Sequence, residues 1–291
     1  MIEDTDIENY LAIIEKARDK ADAFIEGSES YLGSRHPDNG PCCNDAPAEK
    51  NFPSRFMVFG DSHSSFFAGE DKIVEDFRES TLFGMNFHVF HMGPVLAASL
   101  VERQSTLMAR ERIFDILKRE NPADWDGAVF AFGEIDCRFH IVKRLGYKNA
   151  AFTPDLQRSI TITVLRYLAF LHEVVLQGYK PIVWGPVASN CLVVTNPEWP
   201  NYGTSQERNV ITLEFSRLLG RSCETSGIEY ITVLPFLLTD TMETQSELYF
   251  DGGHLGQTAW QIALPLFRER LQHILHPSMP GSRGNKRQEK G

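Results

Sequence analysis

Five short, largely apolar runs constrain this chain more than any other feature: Phe56–Phe59, Asn86–His91, Ala128–Phe132, Pro181–Trp184 and Tyr230–Leu234. Runs of this length, bounded by glycine and turn residues, read as strands buried on both faces, as in a parallel sheet. Segments with helical spacing separate them. One follows Ser62 and continues through Ile73 and Phe77. A second, long and amphipathic, runs from Gly93-Pro94 to about Glu120, with Pro94 at the first helical position, where its missing N–H costs nothing. Others run from Asp155 or nearby to about Gln177, closed by Gly178, from about Ser205 to Cys223, and from about Gly256 to His273.

This alternation predicts an α/β fold: three α/β/α layers around a five-stranded parallel, flavodoxin-like sheet. Apolar residues at helical spacing from Ile7 to Ile25 add an N-terminal helix that Gly33 ends. The expected organisation is a helix and loop over residues 1–53, a main domain over 54–276, and a basic tail over 277–291, expected to be disordered. In such sheets ligands bind outside the carboxyl ends of the strands. Gly60-Asp61-Ser62, His91-Met92-Gly93, Gly133 to Asp136, Gly185 to Ser189 and the loop before Asp251 are all expected on that edge.

Composition excludes several classes. A net charge of −10 over 291 residues argues against a nucleic-acid or anionic-membrane surface, which needs clustered positive charge. The acidic first residues do not resemble a secretory signal, and the apolar run Ile160–Leu176 is interrupted by Arg166, His172 and Glu173. Five scattered cysteines in such a chain read as reduced thiols, which predicts a cytoplasmic protein. Cys42-Cys43 with His36 lacks zinc spacing, and His88 and His91 do not share a strand face, so no metal is expected. No glycine fingerprint of a dinucleotide site follows a strand, and no cofactor is expected.

Chemistry concentrates in two stretches. In Phe56-Met-Val-Phe-Gly-Asp-Ser62, a serine sits where a strand gives way to a helix, its hydroxyl exposed and its N–H near unpaired helix donors. In Asp251-Gly-Gly-His254, a glycine turn lets a carboxylate hold one imidazole nitrogen while the other faces outward, toward Ser62. Taken singly, both stretches could be simple helix caps.

Together they resemble the SGNH/GDSL hydrolase superfamily over about residues 54 to 275. Its members carry Gly-Asp-Ser after the first strand, a glycine after the second, Gly-x-Asn-Asp after the third and Asp-x-x-His near the carboxyl end. The resemblance implies Ser62 as nucleophile, His254 as base, Asp251 as its orienter, and the N–H groups of Ser62 and Gly93 as the oxyanion hole. One departure matters: the third block reads Gly133-Glu134-Ile135-Asp136, so Ile135 replaces the amide donor. Losing one such donor typically costs ~10²–10³ in turnover. Arg138 or His140 could supply another, or Arg138 could bind an anionic substrate group. Glu134, Asp136 and Arg138 read equally well as an ion-pair network. Asp61 and His63 are further candidates for lining or supporting the site, although a first-turn histidine can equally face solvent. Trp184, Trp199 and Tyr202 could wall a substrate or simply pack.

The expected function is a serine esterase acting through an acyl-enzyme on small acyl esters, O-acetyl groups on carbohydrate among them. Acyl transfer to a sugar hydroxyl would use the same residues. Ile135 motivates a different class, a carbohydrate-binding protein that kept the fold and lost turnover. A flavodoxin-type nucleotide-binding domain is a third possibility.

Overall fold

The computed structural model describes residues 53–144, 153–189 and 202–272. The N-terminal helix and the loop to residue 52, with His36, Cys42 and Cys43, lie outside the described residues, as do Cys191, Trp199 and the basic tail. The strands are β1 (Ser54–Gly60), β2 (Phe77–Leu82), β3 (Met85–His91), β4 (Gly127–Ala131), β5 (Pro181–Trp184) and β6 (Glu229–Ile231). They form one six-stranded sheet of order β2-β3-β1-β4-β5-β6. β3, β1, β4, β5 and β6 run parallel, and β2 lies antiparallel to β3 at the edge.

β2 corrects two expectations at once. The sheet is six-stranded and mixed, not five-stranded and parallel, and the segment through Phe77 is a strand, not a helix. The helix that begins at Ser62 is a short 3-10 helix ending at Ala68, capped by Gly69 in the left-handed region. The chain then returns as β2 and turns back through Phe83-Gly84, both with positive φ (53° and 80°). Two left-handed residues make the turn whose twist suits a two-residue hairpin, and glycine takes the second place without strain. A second correction concerns Pro94, which sits in a bend. The helix after β3 starts only at Ala109, after a 3-10 turn at Ala97–Ser99.

The longer helices are α1 (Ala109–Arg119), α2 (Pro154–Leu176), α3 (Ser205–Thr225) and α4 (Trp260–Arg270). Thr153 caps α2, near Asp155 as expected, with Pro154 in its first turn, and a Thr204–Glu207 capping box starts α3. Strand alternation divides the core. Met57 and Phe59 of β1 face one cluster with Ile113 of α1, Phe170 of α2 and Phe215 of α3. Phe56 and Val58 face the other, with Phe66, Phe67, Trp260 and Phe267. α2 has the length and hydropathy of a membrane span, but it packs on the sheet with Ile160, Val164, Tyr167 and Phe170 fully or almost fully buried. Phe56, Met57, Val58 and Phe59 are fully buried. At about 1.5–3 kcal/mol for each large apolar side chain, they make β1 a rigid stem for the turn at its carboxyl end.

Candidate active site

Gly60 ends β1 in a close approach that excludes any side chain: a Cβ there would stand 2.7 Å from both the Ala131 carbonyl oxygen and the Ser64 Cβ. Asp61 comes next as the N-cap of the 3-10 helix, its Oδ1 accepting from the His63 N–H at 2.9 Å. Ser62 therefore occupies the first helical position, partly exposed at the carboxyl edge of the sheet.

Asp251 and His254 reach the same edge on a loop pinned by an antiparallel bridge between Tyr249 and Leu255. Asp251 Oδ1 accepts from the N–H groups of Gly253 (2.9 Å) and His254 (2.8 Å). Asp251 Oδ2 lies 2.7 Å from His254 Nδ1. A carboxylate only accepts, so Nδ1 carries the proton, and Nε2 is left to accept from the Ser62 hydroxyl 2.7 Å away. Burial pushes the Asp251 carboxyl up, yet the Gly253 and His254 donors together hold it below its ordinary value. Burial and the neighbouring His63 charge outweigh Asp251 at His254, lowering its pKa and favouring the neutral ring a base requires.

The loop after β3 brings Gly93 to this edge. Met92 N–H donates to the Gly60 carbonyl at 2.8 Å, and Gly93 sits beside it with φ +85°. Among the described residues no acceptor takes the N–H of Ser62 or of Gly93. Asp136, fully buried, accepts from the N–H groups of Ala97 (2.7 Å) and Ala98 (3.2 Å). It therefore fixes the Gly93 loop from across the site and does not face a substrate.

Glu134 and Arg138 do form an ion pair, at 2.7 Å, and His63 joins it through Glu134. His63 Nε2 lies 3.4 Å from Glu134 Oε2, and the His63 ring packs against that of His254 with centroids 4.8 Å apart. His63 is thus largely covered, against Glu134 and His254, and not solvent-facing. Despite its burial, which pushes it up, Glu134 is held well below the usual carboxylate range by Arg138 and His63. Ile135, buried and helical in backbone, caps a π-helical stretch, Asp136–His140, that ends with the partly exposed His140. Trp184 is packing, stacked on Phe66 at 5.5 Å, and Tyr202 stacks on Phe139.

Two residues to which the sequence assigns no role, Gln257 and Asp71, join the halves of the site. Gln257 donates its side-chain amide to the Phe66 carbonyl (3.0 Å), and its N–H donates to Asp71 Oδ1 (2.6 Å). The run His-Leu-Gly-Gln-Thr-Ala-Trp is conspicuous in the sequence, but a contact across the fold cannot be read from it. Among the described residues no group of His, Cys, Asp and Glu is placed to hold a metal ion.

No family model matches the chain, and no curated protein matches it. Its fold is similar to solved structures of a catalytic mutant of an acetylxylan esterase from Geobacillus stearothermophilus (TM-score 0.45, 12% identity, 77% of this chain and 94% of that one). It is also similar to the M. smegmatis aryl esterase (0.43, 14%, 76% and 100%). A third is the lipase/acylhydrolase from Enterococcus faecalis (0.43, 15%, 78% and 99%).

Proposed function

We propose that this chain is a serine ester hydrolase of SGNH/GDSL type acting through an acyl-enzyme. The observation that carries the reading is the continuous line Asp251–His254–Ser62, both links at 2.7 Å. His254 Nε2 takes the Ser62 proton as Oγ attacks the ester carbonyl, and Asp251 stabilises the imidazolium that forms. The N–H groups of Ser62 and Gly93 receive the oxyanion. Collapse expels the alcohol with the proton from His254, and water, activated by the same base, releases the acid. Ile135 offers no side-chain donor, so turnover is expected roughly 10²–10³ below that of a site with three donors.

The substrate class that the sequence resemblance suggests is small acyl esters, with O-acetyl groups on carbohydrate as the leading case. Cys137 and Cys223 are free, buried thiols, which supports a reducing, cytoplasmic setting. An ester panel from acetyl to octanoyl, with acetylated sugars, run beside Ser62→Ala tests the reading. Hydrolysis lost in the variant supports it. Sugar binding without turnover in either protein would favour a binding protein, for which Ile135 is the motive. Acyl product on a sugar acceptor instead of free acid would favour acyl transfer.

A further inference from the structure

Behind Ser62, between the ends of β1, β4 and β5, lies a narrow cavity lined by Asp61, His63, Glu134 and Trp184. It has room for about one water-sized molecule. Asp61, Glu134 and Trp184 are more than nine-tenths buried, and the His63 side chain is 10% exposed. Among the residues that line it, Asp61 Oδ2, His63 Nδ1, Glu134 Oε2 and Trp184 Nε1 are buried without a hydrogen-bond partner. Four orphaned polar atoms on the residues around one small void are costly unless something satisfies them, and a water with two to four polar partners is the usual solution.

Charge fixes the protonation of the ring between them. Asp61 and Glu134 face His63 as carboxylates, and Arg138 is the one permanent cation directed at it. Asp136 lies nearby, engaged with the Ala97 and Ala98 N–H groups. His254 packs on the other side of the ring, itself held by Asp251. With His63 neutral, the cluster carries excess negative charge in a largely buried setting, so protonation of the ring relieves it. We infer that a single water held behind the nucleophile bridges Asp61 Oδ2, Trp184 Nε1 and His63 Nδ1, and that this site holds His63 as an imidazolium against His254. His63 then donates through Nε2 to Glu134 and through Nδ1 to the water. The water accepts from Trp184 and donates to Asp61, and Glu134 Oε2 faces the charged ring at 3.4 Å. The cation beside His254 disfavours a second charge there and keeps the proposed base neutral to lower pH. His63 is in this sense a positioning residue, acting on Ser62 only through His254. Burial lowers the His63 pKa, but Glu134 and Asp61 more than restore it, in the same direction.

The inference depends on the esterase reading only for calling His254 a base, and its test needs no turnover. Imidazole resonances of His63 and His254 are followed by NMR across the pH range in the wild type, His63→Gln and Glu134→Gln. His63 should keep both protons to higher pH than His254. His254 should titrate at higher pH in His63→Gln, and His63 at lower pH in Glu134→Gln. A crystal structure should show water within hydrogen-bond reach of Asp61, His63 and Trp184. A dry cavity, His254 titrating identically in wild type and folded His63→Gln, or His63 titrating identically in wild type and Glu134→Gln, overturns it. Should His63→Gln not fold, Glu134→Gln alone decides, since an unmoved His63 titration contradicts the proposal. If shifts appear in a protein inert to every ester, the esterase reading has failed and this one stands. Labelling of Ser62 with His254 unmoved reports the reverse.

Discussion

The Gln257 side-chain amide reaches across 191 positions to donate to the Phe66 carbonyl at 3.0 Å. Phe66 lies in the 3-10 helix that Ser62 begins, and Gln257 stands three residues beyond His254. This contact fixes the distance between the two, reinforced by Trp260 stacking on Phe66 at 4.6 Å. Gln257→Ala removes one hydrogen bond, worth about 0.5–1.5 kcal/mol of stability. Its effect on reactivity should be larger, because a misplacement near 1 Å at a reacting pair costs roughly 10²-fold. Denaturant unfolding and kcat/KM on one ester, measured together, check this. Equal and small losses in both would place the positioning elsewhere.

Gly60→Ala should destabilise the fold by about 1–3 kcal/mol, the usual cost of overpacking. The obstruction is the Ala131 carbonyl oxygen at 2.7 Å, part of the sheet and unable to swing aside as a flexible side chain would. A urea midpoint matching the wild type would show that β1 and β4 can separate there.

Asp61 carries a buried cost. Burial raises its pKa from 3.8 to about 6 in spite of the opposing His63 charge and N–H donor. A carboxyl raised on folding weakens the folded state as pH climbs through that interval, and the penalty is complete above about pH 6. Asn caps a helix as well as Asp and carries no charge. Asp61→Asn should therefore unfold at higher denaturant concentration than the wild type at pH 7, by up to about 3 kcal/mol. The advantage should shrink toward pH 4. A variant less stable at pH 7 would mean that the Asp61 charge is better compensated than its burial implies.

The acid limb of kcat/KM should have its midpoint below about 6.5, the ordinary histidine value. Burial and the His63 charge hold His254 below that value, and the proposed base works as the neutral ring. A pH–rate profile checks it, and a midpoint above 6.5 would contradict the assigned environment.

The juxtaposition of Ser62, Asp251 and His254 was legible because the proposed chemistry demands fixed local spacing: Gly-Asp-Ser at a strand end, Asp-x-x-His at a glycine turn. The parallel strands were legible from continuous apolar runs. β2 was not, since Phe-Arg-Glu-Ser-Thr-Leu is mostly exposed on an edge, and it turns through Phe83-Gly84 without the usual Asn-Gly signal. Pro94 misled because the chain must first place Gly93 and a turn held by Asp136, 39 positions away. The pairing of His63 with Glu134 is likewise set by β1 lying beside β4. Such contacts follow from topology, and no local pattern announces them.

Fluorophosphonate capture probes most directly whether Ser62 is activated by His254. Stoichiometric labelling at Ser62 in the wild type, abolished in Ser62→Ala and reduced by several orders of magnitude in His254→Ala, is the expected result. Well-folded protein that takes up no probe, or labels as fast without His254, would contradict it.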